Sequence, residues 1–306
     1  MASQKKIMRP VGWKLQVMQI ADLQEIPAIS PDTLKLMNAA LDREKPDLVV
    51  FTGDQIKGYG ITFRGGDRKK KVEDTLHRLL EPVVRRNIPF APLFGNHDGR
   101  WAALTRSRCR FISVMSNALA WTTRHYPAVA PMICPFIPTM GKKFFLTFIS
   151  SIHTVARRVA AMRRLIRSRL NGIAQRVTAS RRKTTASRFP PLYSSTSPCQ
   201  SITTCFYRCR TKTPGAVRAY RTHKNESYIL NPDMVDAGGF MRESPAIPDI
   251  NTGEFDAIAE KGDVMAMFVG HDHINSFVGH YQTSISYTHQ AAASMFTAPA
   301  WNGRCV

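Results

Sequence analysis

Four short apolar runs divide this chain and predict the strands of a buried sheet. Residues 15–20, 47–52, 90–94 and 264–269 are rich in Val, Ile, Leu, Met and Phe and carry few polar positions. Nearly continuous apolarity over such a short run is typical of strands that are covered on both faces. The pattern therefore indicates an α/β fold built on parallel strands.

Stretches with helical spacing separate the first three runs. Ser30-Pro31-Asp32 begins the first helix, because it supplies an N-cap, a proline in the first turn and an acid near the positive end of the helix dipole. Apolar residues recur at helical spacing over 72–86, where Pro82 is expected to kink or shorten the second helix. Later in the chain, residues 252–261 predict a short helix and residues 277–281 an antiparallel strand.

Each apolar run ends close to residues that can bind a metal ion. These residues are Asp22, Gly53-Asp54, Gly95-Asn96-His97-Asp98 and Gly270-His271-Asp272-His273. Because sites in parallel sheets form beyond the carboxyl ends of the strands, we expect these side chains to lie together. Carboxylate, amide oxygen and imidazole ligands suit Mn, Fe or Zn. A pair of such ions, with Asp54 as the candidate bridge, is suited to displacement at phosphorus.

The last motif places two imidazoles on one short segment. His271 and His273 lie two residues apart, so both can reach the same centre if the loop turns. Asp272 would then point to solvent or to a residue behind the ligands.

The order of these motifs resembles that of the calcineurin-like metallophosphoesterases, and within them the purple acid phosphatases and related cytosolic phosphatases. The family pattern is Asp-x-His, Gly-Asp, Gly-Asn-His-Asp/Glu, a lone His and Gly-His-x-His, and the resemblance covers residues 15–100 and 250–282. It implies a β-sandwich flanked by helices, and hydrolysis of a phosphate ester by two divalent ions. By position it implies two ligand groups: Asp22, Asp54 and His273 for one ion, and Asp54, Asn96 and His271 for the other. It also implies that His97 is the catalytic residue beside the leaving group.

Three features depart from the family pattern. Gln24 stands where the first motif places a histidine, so it is a weak candidate ligand and the first metal position is weakened. Lys57 stands where purple acid phosphatases place a metal-bound tyrosine, so we expect no charge-transfer iron site. The lone histidine has no clear counterpart: His125, His153 and His223 remain, and none follows a strand-like run into a loop that contains proline.

The positive charge of the chain is confined to one segment. The formal net charge is +21, yet residues 99–225 contain no Asp or Glu and the remainder of the chain is close to neutral. This segment favours an alternative function, namely binding to nucleic acid or to another anionic surface, with residues 155–170 as a basic amphipathic stretch. A nuclease of the same superfamily is a third hypothesis. A phosphate ester remains the favoured substrate, because the basic residues lie outside the metal motifs.

A change of reading frame is another interpretation of the basic segment. Residues 188–206, when back-translated and read from the third base of each codon, can spell a strand followed by a loop that carries His and Pro. The same shift applied to residues 289–303 can spell a typical family ending. We suspect frame errors or unremoved introns over residues 105–222 and after residue 288. A segment without acids or a consistent apolar period is expected neither to complete the sheet nor to cover it.

These observations divide the chain into four parts. Residues 1–104 are the N-terminal half of a metallophosphoesterase domain, 105–225 a long basic insertion that is irregular and fits poorly, 226–288 the C-terminal part of the domain, and 289–306 an irregular tail. The six cysteines have no paired zinc spacing, so we expect no zinc or disulfide framework. Without a secretory signal or an apolar run of about 18 residues, we expect a cytoplasmic protein with no membrane span.

Overall fold

The first third of the chain alternates strands and helices in the order that the apolar pattern predicts. The computed structural model describes residues 15–93, 95–99, 132–136, 144–148, 192–195, 203, 205–219, 223–247, 266–281, 285–290 and 292–298. Its first elements are β1 (Leu15–Ala21), α1 (Pro31–Glu44), β2 (Leu48–Phe51), α2 (Arg68–Val84), β3 (Phe90–Pro92) and a single helical turn, α3 (Asn96–Gly99). β1 pairs with β2, and β2 with β3, in parallel, so their carboxyl ends meet at one edge of the sheet.

Both long helices begin at a side-chain cap. Ser30 accepts a hydrogen bond from the Asp32 N–H at the start of α1, as the sequence predicts. Asp67 accepts one from the Lys70 N–H, which explains why α2 begins four residues earlier than its apolar spacing suggests. α2 runs through Pro82 and ends at Val84, two residues before the end that the apolar spacing predicts.

Six further strands lie in the middle of the chain: β4 (Met132–Phe136), β5 (Phe144–Phe148), β6 (Leu192–Ser195), β7 (Phe206–Cys209), β8 (Val217–Arg218) and β9 (Ser227–Leu230). β4 and β5 pair as an antiparallel hairpin. β7, β9 and β8 form an antiparallel sheet in that order.

The last strands complete two larger sheets. They are β10 (Phe240–Met241), β11 (Ala266–Val269), β12 (Asn275–Tyr281), β13 (Ile285–Gln290) and β14 (Ala292–Ala298). The first sheet has the order β14-β1-β2-β3, and the second has the order β10-β12-β13-β11-β6. β11 lies within the apolar run predicted at 264–269, and β12 includes the strand predicted at 277–281. β12 is antiparallel to its neighbour β13.

The first sheet is buried on both faces. One face packs against α1 and α2 through a cluster of apolar side chains, namely Met18, Ile20, Ile29, Met37, Leu41, Val49, Phe51, Leu79, Leu80, Val83, Ile88 and Phe90. On the other face, Gln19 Nε2 of β1 donates to the Val269 carbonyl of β11 at 2.6 Å and to Thr52 Oγ1 at 3.1 Å. This contact joins the two sheets, and the architecture is the expected α/β sandwich flanked by helices.

Two expectations about the basic insertion and the tail are wrong for the residues that form strands. β6 pairs with β11 in parallel, so part of the insertion does extend a sheet. β14 pairs with β1 over its whole length, from Leu15 beside Ala298 to Ala21 beside Ala292, so residues 292–298 are not an irregular tail. Backbone pairing needs no acidic residues, and an open strand edge accepts any extended partner. The four-part division of the chain stays a prediction.

Two predicted segments lie outside the described residues: the amphipathic stretch at 155–170 and the helix at 252–261. In the part of the chain that the structure describes, no helix has both the length and the apolarity needed to cross a membrane.

Candidate metal centre

The ends of four strands bring the predicted site residues to one place. Asp22 follows β1, Asp54 follows β2, His97 follows β3 and His271 follows β11. The His271 N–H donates to Asp22 Oδ2 at 2.8 Å, and the His97 N–H donates to Asp54 Oδ1 at 2.8 Å. The Asp22 N–H in turn donates to the Gly53 carbonyl at 3.2 Å. The motifs are therefore linked by hydrogen bonds across both sheets.

Two glycines let the backbone approach the carboxylates. A Cβ atom at Gly95 would lie 2.0 Å from Asp54 Oδ1 and 2.6 Å from the Asp54 backbone nitrogen. A Cβ atom at Gly270 would lie 3.0 Å from Asp22 Oδ2. The contact at Gly95 excludes every other residue, because a side chain there would overlap the candidate bridging carboxylate. The glycines in these motifs are thus required by close packing against the acids.

The backbone at the site is strained. Among the described residues, six that are not glycine have a positive φ, and four of these belong to the site: Asp22 (52°), Gln24 (45°), Asp54 (52°) and His271 (87°). Such conformations cost about 1–3 kcal/mol each and concentrate at functional sites. Asp and His tolerate this region better than most residues do. The strain turns these side chains toward the junction of the two sheets.

Four carboxylates are buried around this junction. Asp54, Asp98 and Asp272 are between 1% and 3% exposed, and the side chain of Asp22 is 4% exposed. Burial raises the pKa of Asp22 well above its ordinary value, and the charge of Asp54 raises it further. The His271 N–H opposes this shift in the pKa of Asp22, and the charges of Asp272 and Asp98 add to it. The cluster therefore has an excess of negative charge that a bound cation would offset.

Three side chains of the predicted set meet at one imidazole nitrogen. His273 Nε2 lies 3.0 Å from Gln24 Nε2 and 3.9 Å from Asp22 Oδ1. Among the described residues, no three His, Cys, Asp or Glu side chains are grouped closely enough to hold an ion. The chemistry of the residues nevertheless fits a divalent cation, because buried carboxylates and an imidazole converge where negative charge is in excess.

Comparison with known proteins finds a family match in the first half of the chain. The sequence model described as calcineurin-like phosphoesterase matches residues 15–146, which include β1, β2, β3 and the motifs that follow them. Residues 15–146 thus match a calcineurin-like phosphoesterase domain. One solved structure that is 10% identical has a TM-score of 0.51, covers 93% of this chain and is itself covered over 95% of its length. That likeness supports the phosphoesterase fold.

Relatives with curated names include a phosphatase and several purple acid phosphatase-like proteins. The chain is 37% identical over 109 residues to Phosphatase DCR2 of Saccharomyces cerevisiae. This match covers 30% of this chain and 17% of that protein. It is 24% identical to Probable inactive purple acid phosphatase 29 of Arabidopsis thaliana over 88% of this chain and 65% of that protein. It is 23% identical to Probable inactive purple acid phosphatase 14 of the same plant over 80% of this chain and 58% of that protein. The chain thus spans less than two thirds of each of these relatives.

The catalytic candidate, His97, packs against the ring of Tyr59, with the two ring planes tilted by 48°. The two ring centroids are 4.6 Å apart, and Lys57 Nζ lies 5.2 Å from the centroid of the Tyr59 ring. His97 Nε2 is 3.8 Å from Asp54 Oδ2, and the side chain is 18% exposed. The imidazole is therefore held between the candidate bridging carboxylate and an aromatic face, with one edge open to solvent. Lys57 replaces the family tyrosine and contributes a positive charge near this edge.

Three buried polar residues support the candidate site although their roles are not evident from the sequence. Asp98 accepts hydrogen bonds from the backbone N–H groups of Gly95, Ile56 and Gln55 at 2.9, 3.2 and 3.4 Å. Asp272 accepts from the Ala246 N–H at 3.1 Å and from Asn275 Nδ2 at 3.3 Å, so it points away from solvent. Gln19 joins the sheets. The sequence signal for the role of Gln19 is its position as a polar residue within the apolar run 15–20.

The lone histidine of the family pattern is not supplied by the candidate that the structure describes. His223 Nδ1 lies 3.4 Å from Glu226 Oε2, beside the sheet formed by β7, β9 and β8. His125 and His153 lie outside the described residues.

Proposed function

We propose that this chain is a metal-dependent phosphoesterase whose activity is weakened by its departures from the family pattern. The residues that would hold the ions are Asp22, Asp54, Asn96, His271 and His273, with Gln24 as a weak ligand. Mn, Fe and Zn are the metals that suit these oxygen and imidazole donors. The substrate is a phosphate ester.

The observation that carries this proposal is the burial of Asp22 and Asp54 beside each other at the junction of the two sheets. A buried carboxylate is unfavourable unless it is hydrogen-bonded, paired or bound to a cation. Each of these two accepts a backbone N–H, from His271 and His97 respectively, yet their charges repel each other. A cation between them would turn this repulsion into attraction and would also neutralise an incoming phosphate.

The protein residues have separable tasks in the proposed reaction. When bound, divalent ions polarise the phosphoryl oxygens and lower the pKa of water. Asp54 orients the loop that carries His97, because its Oδ1 accepts the His97 N–H. His97, with its solvent-facing edge, would donate a proton to the departing oxygen of the ester. Tyr59 would keep the imidazole in place through the contact between the two rings, and Lys57 would attract the anionic substrate.

The activity can be tested with p-nitrophenyl phosphate and bis-p-nitrophenyl phosphate, after chelation and then with Mn or Zn restored. We expect hydrolysis that depends on the added ion and that Asp54→Asn abolishes. Asp236→Asn is the matched control, because Asp236 is an exposed carboxylate that pairs with His280 at 2.6 Å and belongs to none of the four motifs. Hydrolysis that persists in chelator and in Asp54→Asn would refute the proposal.

The same protein can be tested for the alternative functions. A basic binding protein would retain single-stranded DNA at low salt and release it steeply as salt rises, whatever residue stands at position 54. A nuclease of the superfamily would cleave that DNA only with the metal and with Asp54 intact.

A further inference from the structure

Residue 24 is fixed beside His273 by the backbone. Gln24 lies in the left-handed region with φ of 45°, and its N–H donates to the Asp54 carbonyl at 2.8 Å. The next residue, Glu25, forms a parallel bridge with Ile56, and its N–H donates to the Gln55 carbonyl at 3.0 Å. These bonds tie the segment after β1 to the segment after β2. The backbone therefore fixes the position of the Cβ atom of residue 24, next to the candidate ligands, whichever side chain stands there.

The Gln24 side chain contacts the atom of His273 that would bind a metal ion. Gln24 Nε2 lies 3.0 Å from His273 Nε2, and Asp22 Oδ1 lies 3.9 Å from the same nitrogen. An amide nitrogen can only donate, so the imidazole nitrogen must accept through its lone pair. That lone pair is also what an imidazole offers to a metal ion. The amide and an ion thus compete for one atom.

The side-chain oxygen of Gln24 is also a poorer metal ligand than the imidazole that the family pattern places at this position. Its Oε1 is a neutral oxygen, whereas Mn, Fe and Zn bind imidazole well. If the amide turned so that Oε1 faced His273, Oε1 would accept a hydrogen bond from Nε2–H, and in that tautomer Nε2 has no lone pair for an ion. Both orientations disfavour an ion at this position.

We propose that Gln24 makes the Asp22–His273 side of the centre a weak metal position, so that the chain binds one ion tightly, around Asp54, Asn96 and His271, and a second ion only weakly. This inference rests on the proposed function, because it concerns the same centre. It adds that the chain works with one tightly held ion, and that a single residue determines this stoichiometry.

The test measures metal content without reference to activity. Mn and Zn are titrated separately into the metal-free full chain by calorimetry, and bound metal is counted by mass spectrometry after gel filtration. We expect one equivalent for the wild type and two for Gln24→His. Histidine tolerates a positive φ, so the variant should fold, and its circular dichroism and unfolding curve check this.

Two further variants separate competition from the loss of a ligand. Gln24→Ala removes the competing amide and adds no ligand, so we expect it to raise the affinity for the second ion by about 2- to 10-fold, the worth of one net hydrogen bond. Gln24→His should raise it by about 100-fold or more, since even residues behind the ligands change metal affinity by about 10- to 100-fold. Adding His273→Ala to Gln24→His should return the content to one equivalent.

Each outcome decides between the two proposals. Two equivalents of similar affinity in the wild type would overturn the inference, and so would one equivalent in both the wild type and Gln24→His, while the proposed function would stand. If neither protein bound any ion, the proposed function itself would fail together with the inference.

Discussion

Gly95 lies so close to Asp54 that adding one methyl group tests whether the backbone packs against this carboxylate as described. In Gly95→Ala the new Cβ would be 2.0 Å from Asp54 Oδ1, 2.5 Å from Asp54 Cγ and 2.6 Å from the Asp54 backbone nitrogen. Contacts below 3.0 Å are essentially not observed for real Cβ atoms. Either the backbone at residue 95 or Asp54 must therefore move. Asp54 resists such a shift, because the atoms in contact belong to a buried carboxylate and its backbone and not to the end of a flexible side chain.

The cost follows from what holds Asp54 in place. Overpacking a filled site costs about 1–3 kcal/mol. To give way, Asp54 must also release the His97 N–H, which it holds at 2.8 Å, and a hydrogen bond to a charged group contributes about 1.5–3 kcal/mol. We therefore expect Gly95→Ala to lower the free energy of unfolding by about 2.5–6 kcal/mol, a large share of the total for an ordinary protein. The shift of Asp54 should also remove the tightly bound ion.

Urea unfolding and Mn titration measure these two effects, and Gly66→Ala is the control. Gly66 has φ of 59°, and the nearest atom to its added Cβ is Lys71 Cε at 3.9 Å, so this variant tests backbone strain without a steric clash. It should cost about 1–2 kcal/mol and leave metal binding unchanged. If Gly95→Ala matched the wild type in both stability and Mn binding, the close contact between Gly95 and Asp54 would be refuted.

Three further predictions concern the buried charge of Asp22, the hydrogen bonds of Gln19 between the two sheets, and proton donation by His97. Because the pKa of Asp22 is raised in the folded state, the folded protein binds more protons, so stability of the metal-free chain should fall as pH rises from about 4 to that raised pKa. Asp22→Asn should therefore stabilise the metal-free chain at pH 7 in urea unfolding, and equal stability of the two proteins would contradict this. Gln19→Leu leaves two acceptors, Thr52 Oγ1 and the Val269 carbonyl, without their donor and should cost about 1–3 kcal/mol for each in the same assay. His97→Ala should lower kcat about 100- to 10,000-fold on an alkyl phosphate and less on p-nitrophenyl phosphate, whose leaving group needs no proton; equal losses on both would argue against a general acid.

The strands and their order could be predicted from the sequence because their signals are local. A buried strand needs only a short apolar run, and the capped start of α1 needs only Ser30 and its neighbours. The carboxyl ends of parallel strands meet at one edge, so the placement of Asp22 and Asp54 followed from topology alone. The family pattern added His271 and His273, which the structure places in the segment between β11 and β12 of the second sheet.

The pairings of β6 and β14 could not be predicted in this way. Their sequences carry no alternation or charge pattern that specifies a partner, and they were judged by composition instead. Backbone hydrogen bonds supply the pairing, and these do not depend on side-chain type. A segment can therefore be compositionally unusual and still contribute a strand.

The roles of Asp98 and Asp272 were also beyond the sequence. Both stand within metal-binding motifs and both are acids, so composition cannot distinguish a ligand from a residue that holds the loops. Only the partners decide: Asp98 is occupied by three backbone N–H groups, and Asp272 by Ala246 and Asn275. The same limit applied to Gln24, whose contact with His273 depends on a left-handed backbone that no sequence pattern announced.

Strain and charge at this centre make ion binding visible as a change in stability. Asp22, Gln24, Asp54 and His271 hold unfavourable backbone conformations, and repulsion between buried carboxylates adds to that cost. An ion that binds only the folded chain stabilises it by about 2.7 kcal/mol at 100 times its dissociation constant. The unfolding midpoint should therefore rise with Mn or Zn even in a chain too impaired to turn over substrate, and Asp54→Asn should suppress that rise. Occupancy of the centre and its catalytic competence can thus be measured separately, which a chain with Gln24 in its first motif requires.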